Sequence, residues 1–142
     1  MKISMSKVTR FGVSLDDDLL QKFDALLDKI GYSSRSEAIR DLIRNRLVEK
    51  EWEEESTVTI GILGLTFDHE ARELTEKLTK IQHQNVDTIV SSTHIHLDHH
   101  NCLEVIILKG ESGLIKKISD ELISTRSVKH GKLLMMTTGS LI

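Results

Sequence analysis

The chain has no proline in 142 residues, so its turns must be built from Gly, Asn, Asp and Ser. It has one cysteine, Cys102. That excludes an internal disulfide, fits a reducing compartment and leaves one thiol free to act as a ligand. No apolar run approaches the ~20 residues that span a bilayer, and the first residues lack the apolar core of a secretory signal. The expectation is a cytoplasmic protein with no membrane partner. Nor is positive charge in excess, the net charge being −3. Residues 1–50 hold ten Lys and Arg against eight Asp and Glu, whereas residues 51–142 hold nine against fourteen. The imbalance suits a basic first half and an acidic, cation-attracting second half. With 29% charged and 39% hydrophobic residues, the chain is of soluble, folded composition, one large domain or two small ones.

What is present divides at about residue 50. Residues 10–15, R-F-G-V-S-L, alternate strictly, with Phe11, Val13 and Leu15 on one face and Arg10, Gly12 and Ser14 on the other. Asp16 is placed to cap a first helix, with Asp17 and Asp18 at its positive end and Gly31 as its stop. Ser34-Arg35-Ser36-Glu37 reads as a capping box opening a second helix, whose buried stripe is Ala38, Ile39, Leu42, Ile43 and Leu47. A strand and two helices cannot bury their apolar faces alone, and the simplest partner for a lone strand is the same strand of a second copy. Two copies give a ribbon-helix-helix domain, βαα, whose ribbon fits the major groove of double-stranded DNA. Arg10, Gly12 and Ser14 then face base edges, and Ser34 and Arg35, at a helix N-terminus, hold a phosphate. Residues 1–9, with Lys2 and Lys7, read as a flexible arm. The domain is expected over 1–50 and a charged connection over 51–56.

Residues 57–142 read as βαββαβ, a ferredoxin-like plan with helices on one sheet face. Strands are expected over about 57–67, 88–97, 102–109 and 128–137. One helix is expected over 69–83 and a second from Ser112, read as its cap. Together the halves make an α+β chain.

The chemistry concentrates at one hairpin. His94 and His96 are i and i+2 of a strand and share a face. The turn Asp98-His99-His100-Asn101 folds the chain back and brings Cys102 beside them. Two imidazoles and a thiol suit Ni(II), Cu(II), Co(II) or Zn(II), and suit Mg²⁺ or Ca²⁺ poorly. An exposed strand can also carry H-x-H without a metal. His99 and His100 read as solvated turn residues and His130 as part of a turn. His69, near a helix start, reads either as a structural residue or as a group supporting the donors. His83 ends a helix roughly 20 Å of strand before His94; if it is a fourth donor, it comes from another subunit.

These motifs carry a resemblance: R-F-G-V-S-L-D-D-D-L-L, G-Y-S-S-R-S-E-A-I-R-D-L-I-R, I-Q-H, T-H-I-H-L-D-H-H-N-C-L-E-V and V-K-H-G-K-L. Over residues 8–137 the chain resembles the nickel-responsive transcriptional regulators, a ribbon-helix-helix domain joined to an ACT-like, ferredoxin-fold metal domain. The resemblance implies Ni(II), one per chain, on His94, His96 and Cys102 of one subunit and His83 of a neighbour. It implies a homotetramer, a dimer of dimers, on a palindromic operator with two half-sites. It also matches Glu37 and Asp41 to a second cation site and Arg72 to a phosphate contact. Ala71 and Gly12 depart from residues that other members carry. Those departures bear on the operator sequence. A hydrolytic metalloenzyme is disfavoured, since four protein ligands leave no open position for substrate. The rival readings are a sensor of Co, Cu or Zn on the same architecture, and an ACT-type module answering to a small molecule.

Overall fold

The computed structural model describes residues 8–140 and 142. Most of the expected N-terminal arm, residues 1–7, lies outside them. The chain forms two compact units, one ending at Leu42 and one running from Ile43 to Ile142.

In the first unit, α1 (Asp17–Ile30) starts as its sequence dictates. Asp16 is extended, and its carboxylate accepts the Leu19 N–H at 2.8 Å. The helix stops at Gly31, whose φ of +90° is left-handed and whose N–H donates to Leu27 O at 2.8 Å. Next, α2 (Arg35–Glu53) opens on half of the expected capping box. Ser34 Oγ accepts the Glu37 N–H at 3.2 Å, but the Glu37 carboxylate takes the Ser33 hydroxyl instead of reaching back to Ser34. A forked pair joins the helices, Arg35 Nε and Nη2 donating to the Asp24 carboxylate at 2.7 and 2.6 Å.

Two expectations fail in the single chain. Residues 8–16 form no strand, because a ladder needs a second strand and the described residues of this unit offer none. The stripe on α2 is open as well: Ala38 is buried, but Leu42, Ile43 and Leu47 are exposed. Phe11 is 69% exposed and Leu42 59%. Helix α2 also runs to Glu53, through the first part of the expected connection. The charged run is a solvated helix face, with Arg46 bound to Glu49 and Glu53 at 2.9 and 3.1 Å. Trp52, only 2% exposed, anchors the end of the helix, its indole N–H donating to Met136 O at 2.8 Å.

The second unit is βαββαβ. It comprises β1 (Val58–Asp68), α3 (Arg72–Gln84), β2 (Ile89–His96), β3 (Asn101–Glu111), α4 (Ser112–Ile123) and β4 (Val128–Met136). The sheet order is β2-β3-β1-β4 with every pairing antiparallel, the ferredoxin-like arrangement. Alternate residues of β1 (Leu63, Leu65, Phe67) and β3 (Cys102, Glu104, Ile106, Leu108) are buried. They share a core with Leu74 and Leu78 of α3 and Ile115, Ile118 and Leu122 of α4. Residues of opposite parity, including Ile62, Leu103, Leu134 and Met136, lie on the uncovered face.

Ser112 is not the expected cap. Glu111 holds that position without a side-chain bond, and Ser112 is buried as the first helical residue. Its N–H donates to Thr57 O at 2.9 Å and its hydroxyl to Glu54 O at 2.8 Å. Beside it Gly113 is required by contact, since a Cβ there would meet Glu55 Cβ at 2.9 Å.

Candidate metal centre

The turn between β2 and β3 is fixed by its own residues. Asp98 accepts the N–H groups of His100 and Asn101 at 2.8 and 2.7 Å, and the Asn101 side-chain amide at 2.7 Å. These bonds, the Asn101 side chain foremost, hold the Asp98 carboxyl down at about 2. From β4, Lys129 Nζ donates to Asn101 Oδ1 at 2.6 Å. The register is therefore set: His96 lies opposite Cys102, and His94 opposite Glu104.

Cys102 Sγ lies 3.3 Å from His96 Nδ1. The rings of His94 and His96 are 5.0 Å apart, and His94 meets Phe67 edge-on at 5.8 Å. Cys102 is fully buried while both histidines are exposed. Burial pushes the thiol above its ordinary value, helped by the Asp68 and Asp98 charges, so the free thiol keeps its proton at neutral pH. The Glu104 carboxylate accepts from Gln82 Nε2 at 2.8 Å and from Ser92 Oγ at 2.5 Å. It thus joins β3, β2 and the end of α3 directly beside His94.

Of the four expected donors, His96 and Cys102 are in contact and His94 stands alongside His96, whereas His83 does not join them. His83 is exposed on the outer side of α3, where Thr79, Lys80 and Gln84 border a shallow hollow with it. His69, which the sequence marks as a structural residue or a support for the donors, comes in instead. Donor atoms of His69, His96 and Cys102 lie within 4.8 Å of one another. His69 follows β1, whose Phe67 pairs with Cys102; only the register of that pairing brings it in. On the rim, Asp68, Glu70 and His100 form a second, more exposed group. His99 is exposed in the turn and His130 exposed on β4, so neither joins the donors.

Some of the other expected residues have local partners. Glu37 and Asp41 accept the Ser33 and Tyr32 hydroxyls, the latter at 3.0 Å, and among the described residues no third donor gathers with them. Arg10, Gly12 and Ser14 are exposed on the unpaired segment. Ser34 is spent on the α2 cap and Arg35 on Asp24. Arg72 is exposed in the first turn of α3, beside Lys77 and Arg126 around a surface hollow.

A buried thiol with imidazoles around it is a borderline-to-soft donor set, fitted to a late first-row divalent ion. Among the described residues no helix is long and apolar enough to cross a membrane. Residues 60–136 match the family described as "NikR C terminal nickel binding domain". Residues 9–50 match "Ribbon-helix-helix protein, copG family". A protein of Caldanaerobacter subterraneus subsp. tengcongensis is 53% identical over 137 residues, 96% of this chain and 89% of its own length. One from Nitratidesulfovibrio vulgaris (strain Miyazaki F) is 55% identical over 135 residues, covering 95% of this chain and 97% of itself. One from Thermococcus onnurineus is 51% identical over 133 residues, 94% of this chain and 96% of itself. Each bears the name "Putative nickel-responsive regulator". With a DNA-binding fold matched in its first half and a nickel-binding domain in its second, the chain belongs to the family of nickel-responsive transcriptional regulators and is not an enzyme.

Proposed function

We propose that the chain is a cytoplasmic repressor of nickel-uptake genes that holds one Ni(II) per chain at a site shared between subunits. The donors are His94, His96 and Cys102 of one subunit and His83 of another. The observation that carries this reading is a contrast within one chain. His96 Nδ1 is 3.3 Å from Cys102 Sγ with His94 alongside, while His83 stands apart on the outer side of α3. Three nitrogens and a thiolate in a plane supply the field that low-spin Ni(II) favours, whereas Zn(II) pulls similar donors towards a tetrahedron.

Cys102 gives up its proton on coordination, so binding weakens as pH falls. His83 ties the end of α3 to the hairpin of a neighbour and thereby favours one quaternary state. The effect on DNA is a population shift, and operator DNA must tighten nickel binding by the factor that nickel tightens DNA binding. The assembly is a homotetramer, a dimer of dimers. Support comes from apolar residues that one chain leaves open, Phe11 and Val13 near the N-terminus and Leu134 and Met136 on the sheet.

Each ribbon takes one half-site of a palindromic operator. Arg10 and Ser14 read base edges, with Gly12 leaving room between them, and Ser34, Arg35 and Arg72 contact phosphates. Arg35 exchanges Asp24 for a phosphate when it binds. Glu37 and Asp41 hold a second cation.

Anaerobic titration of metal-free protein with Ni(II) tests the reading. It predicts one diamagnetic ion per chain with thiolate-to-nickel absorption. A paramagnetic ion without sulfur ligation would refute it.

A further inference from the structure

We propose that Lys116 is a positioning residue for the nickel response: it fixes the C-terminal end of α2 to α4, so that the helix opening at Arg35 follows the state of the strand that carries Cys102. The inference rests on the reading of the chain as a nickel-dependent DNA-binding protein with its metal at the hairpin. It adds where, within one chain, the effect of the metal passes to the helix of the DNA-binding fold.

A helix ends with carbonyl groups that have no partner of their own, at the negative end of its dipole. Residues of α4 supply donors to that end of α2 and to the turn after it. Lys116 Nζ donates to Trp52 O in the last turn of α2. Ser112 Oγ donates to Glu54 O at 2.8 Å, and the Gly113 N–H to Glu55 O at 3.0 Å. Lys116 is the one charged group among these donors, and its ammonium meets the negative end of α2. The exchange runs both ways. Helix α4 has no side-chain cap, and its first N–H groups, those of Ser112 and Gly113, are spent on the Thr57 and Glu55 carbonyls.

The same turn is pinned to β4. The Trp52 indole and the Thr59 hydroxyl both donate to Met136 O, at 2.8 and 3.0 Å. Next to Trp52, Glu51 keeps a buried carboxylate oxygen with no hydrogen-bond partner among the described residues. An unpaired buried acceptor costs free energy, so a loose helix end would turn that oxygen out to water. The clamp holds it in.

The route from the hairpin to this clamp is a single run of chain. Cys102 is the second residue of β3, and β3 ends at Glu111, directly before Ser112 of α4. About 30 Å of strand separates the thiol from the clamp. Along its whole length β3 is paired with β1, so a shift at one end is carried to the other. The clamp residues all lie in the second unit, whereas α2 runs back past that unit's start at Ile43 to Arg35. Lys116 is the member whose loss releases α2 and spares the core, because it is only half-buried while Trp52 and Ser112 are buried.

The test uses the full chain and the variants Lys116→Met, Lys116→Ala and Lys116→Arg. The probe is a DNA duplex selected from a random-sequence pool by the unaltered protein with Ni(II). Nickel loading is followed by thiolate-to-nickel absorption, DNA affinity is measured with and without Ni(II), and circular dichroism checks folding. Lys116→Met and Lys116→Ala are expected to keep the absorption band and the metal-free affinity. They are expected to cut the factor by which Ni(II) tightens DNA binding by about tenfold or more. Lys116→Arg keeps a cationic donor and is expected to restore most of that factor. By linkage, the duplex must tighten nickel binding less in the first two variants by the same amount. The full nickel factor in Lys116→Met or Lys116→Ala overturns the proposal. So does a loss shared with folding, band and metal-free affinity, which marks a structural role alone. A duplex that the unaltered protein binds equally with and without nickel would instead overturn the nickel-dependent reading, a separate failure.

Discussion

Cys102 combines two properties that oppose each other. It is buried, which protects a lone thiol from oxidation, and burial raises the cost of its ionised form. Only a cation at the sulfur relieves that cost, so the residue is poised to bind metal and otherwise to stay inert. Cys102→Ala is expected to abolish the thiolate-to-nickel band and, in a DNA-binding titration, to leave operator binding independent of nickel. Arg35 shows a second residue-scale tension. Its hydrogen bonds, and then its charge, hold the Asp24 carboxyl below the ordinary value of 3.8. A depressed carboxyl stabilises the fold above its unfolded value, and that contribution is lost as pH falls through the folded value. Asp24→Asn should therefore lower the thermal midpoint at pH 7, with the difference shrinking as pH drops below about 4. The same variant frees Arg35 and removes a negative charge, so it should bind DNA more tightly at low salt.

At the scale of elements, Glu104 is the clasp between helix α3 and the hairpin. Its carboxylate receives Gln82 from the residue before His83 and Ser92 from the strand that carries His94. Glu104→Ala strands a partly buried amide, which costs about 1–3 kcal/mol. Faster amide exchange over residues 80–85, with the thiolate band retained, is the expected signature. Elements with local causes were legible from sequence: Asp16 and Gly31 bound α1 as expected. What failed had a distant cause. Ser112 looks like a cap, but its hydroxyl is used by Glu54 across the fold. The acidic run after Arg46 looks like a linker, and only Trp52, packed into the second unit, shows that the helix continues. The strand over 10–15 has the right pattern and no partner in its own chain. The sequence marks His69 only as a structural residue or a support for the donors; the pairing of Phe67 with Cys102 is what brings it to them.

At the scale of the whole molecule, one chain is an incomplete object. Among its described residues the first unit buries little beyond Leu27 and Ala38, and leaves Phe11, Val13, Leu26, Ile30 and Leu42 in solvent. The sheet of the second unit is covered on one face only. His83 is separated from the donors it is expected to join. On the proposed function each deficit is met by another copy, which would couple folding, metal binding and DNA reading to one assembly. Complementation between two variants tests this most directly. His83→Ala keeps the hairpin donors, Cys102→Ala keeps His83, and neither alone can form the four-donor site. After subunit exchange between the two, the account predicts that the diamagnetic, thiolate-ligated nickel signal returns in about a quarter of the chains, as random pairing in a symmetric oligomer requires. A mixture as silent as its two components would contradict a site shared between subunits.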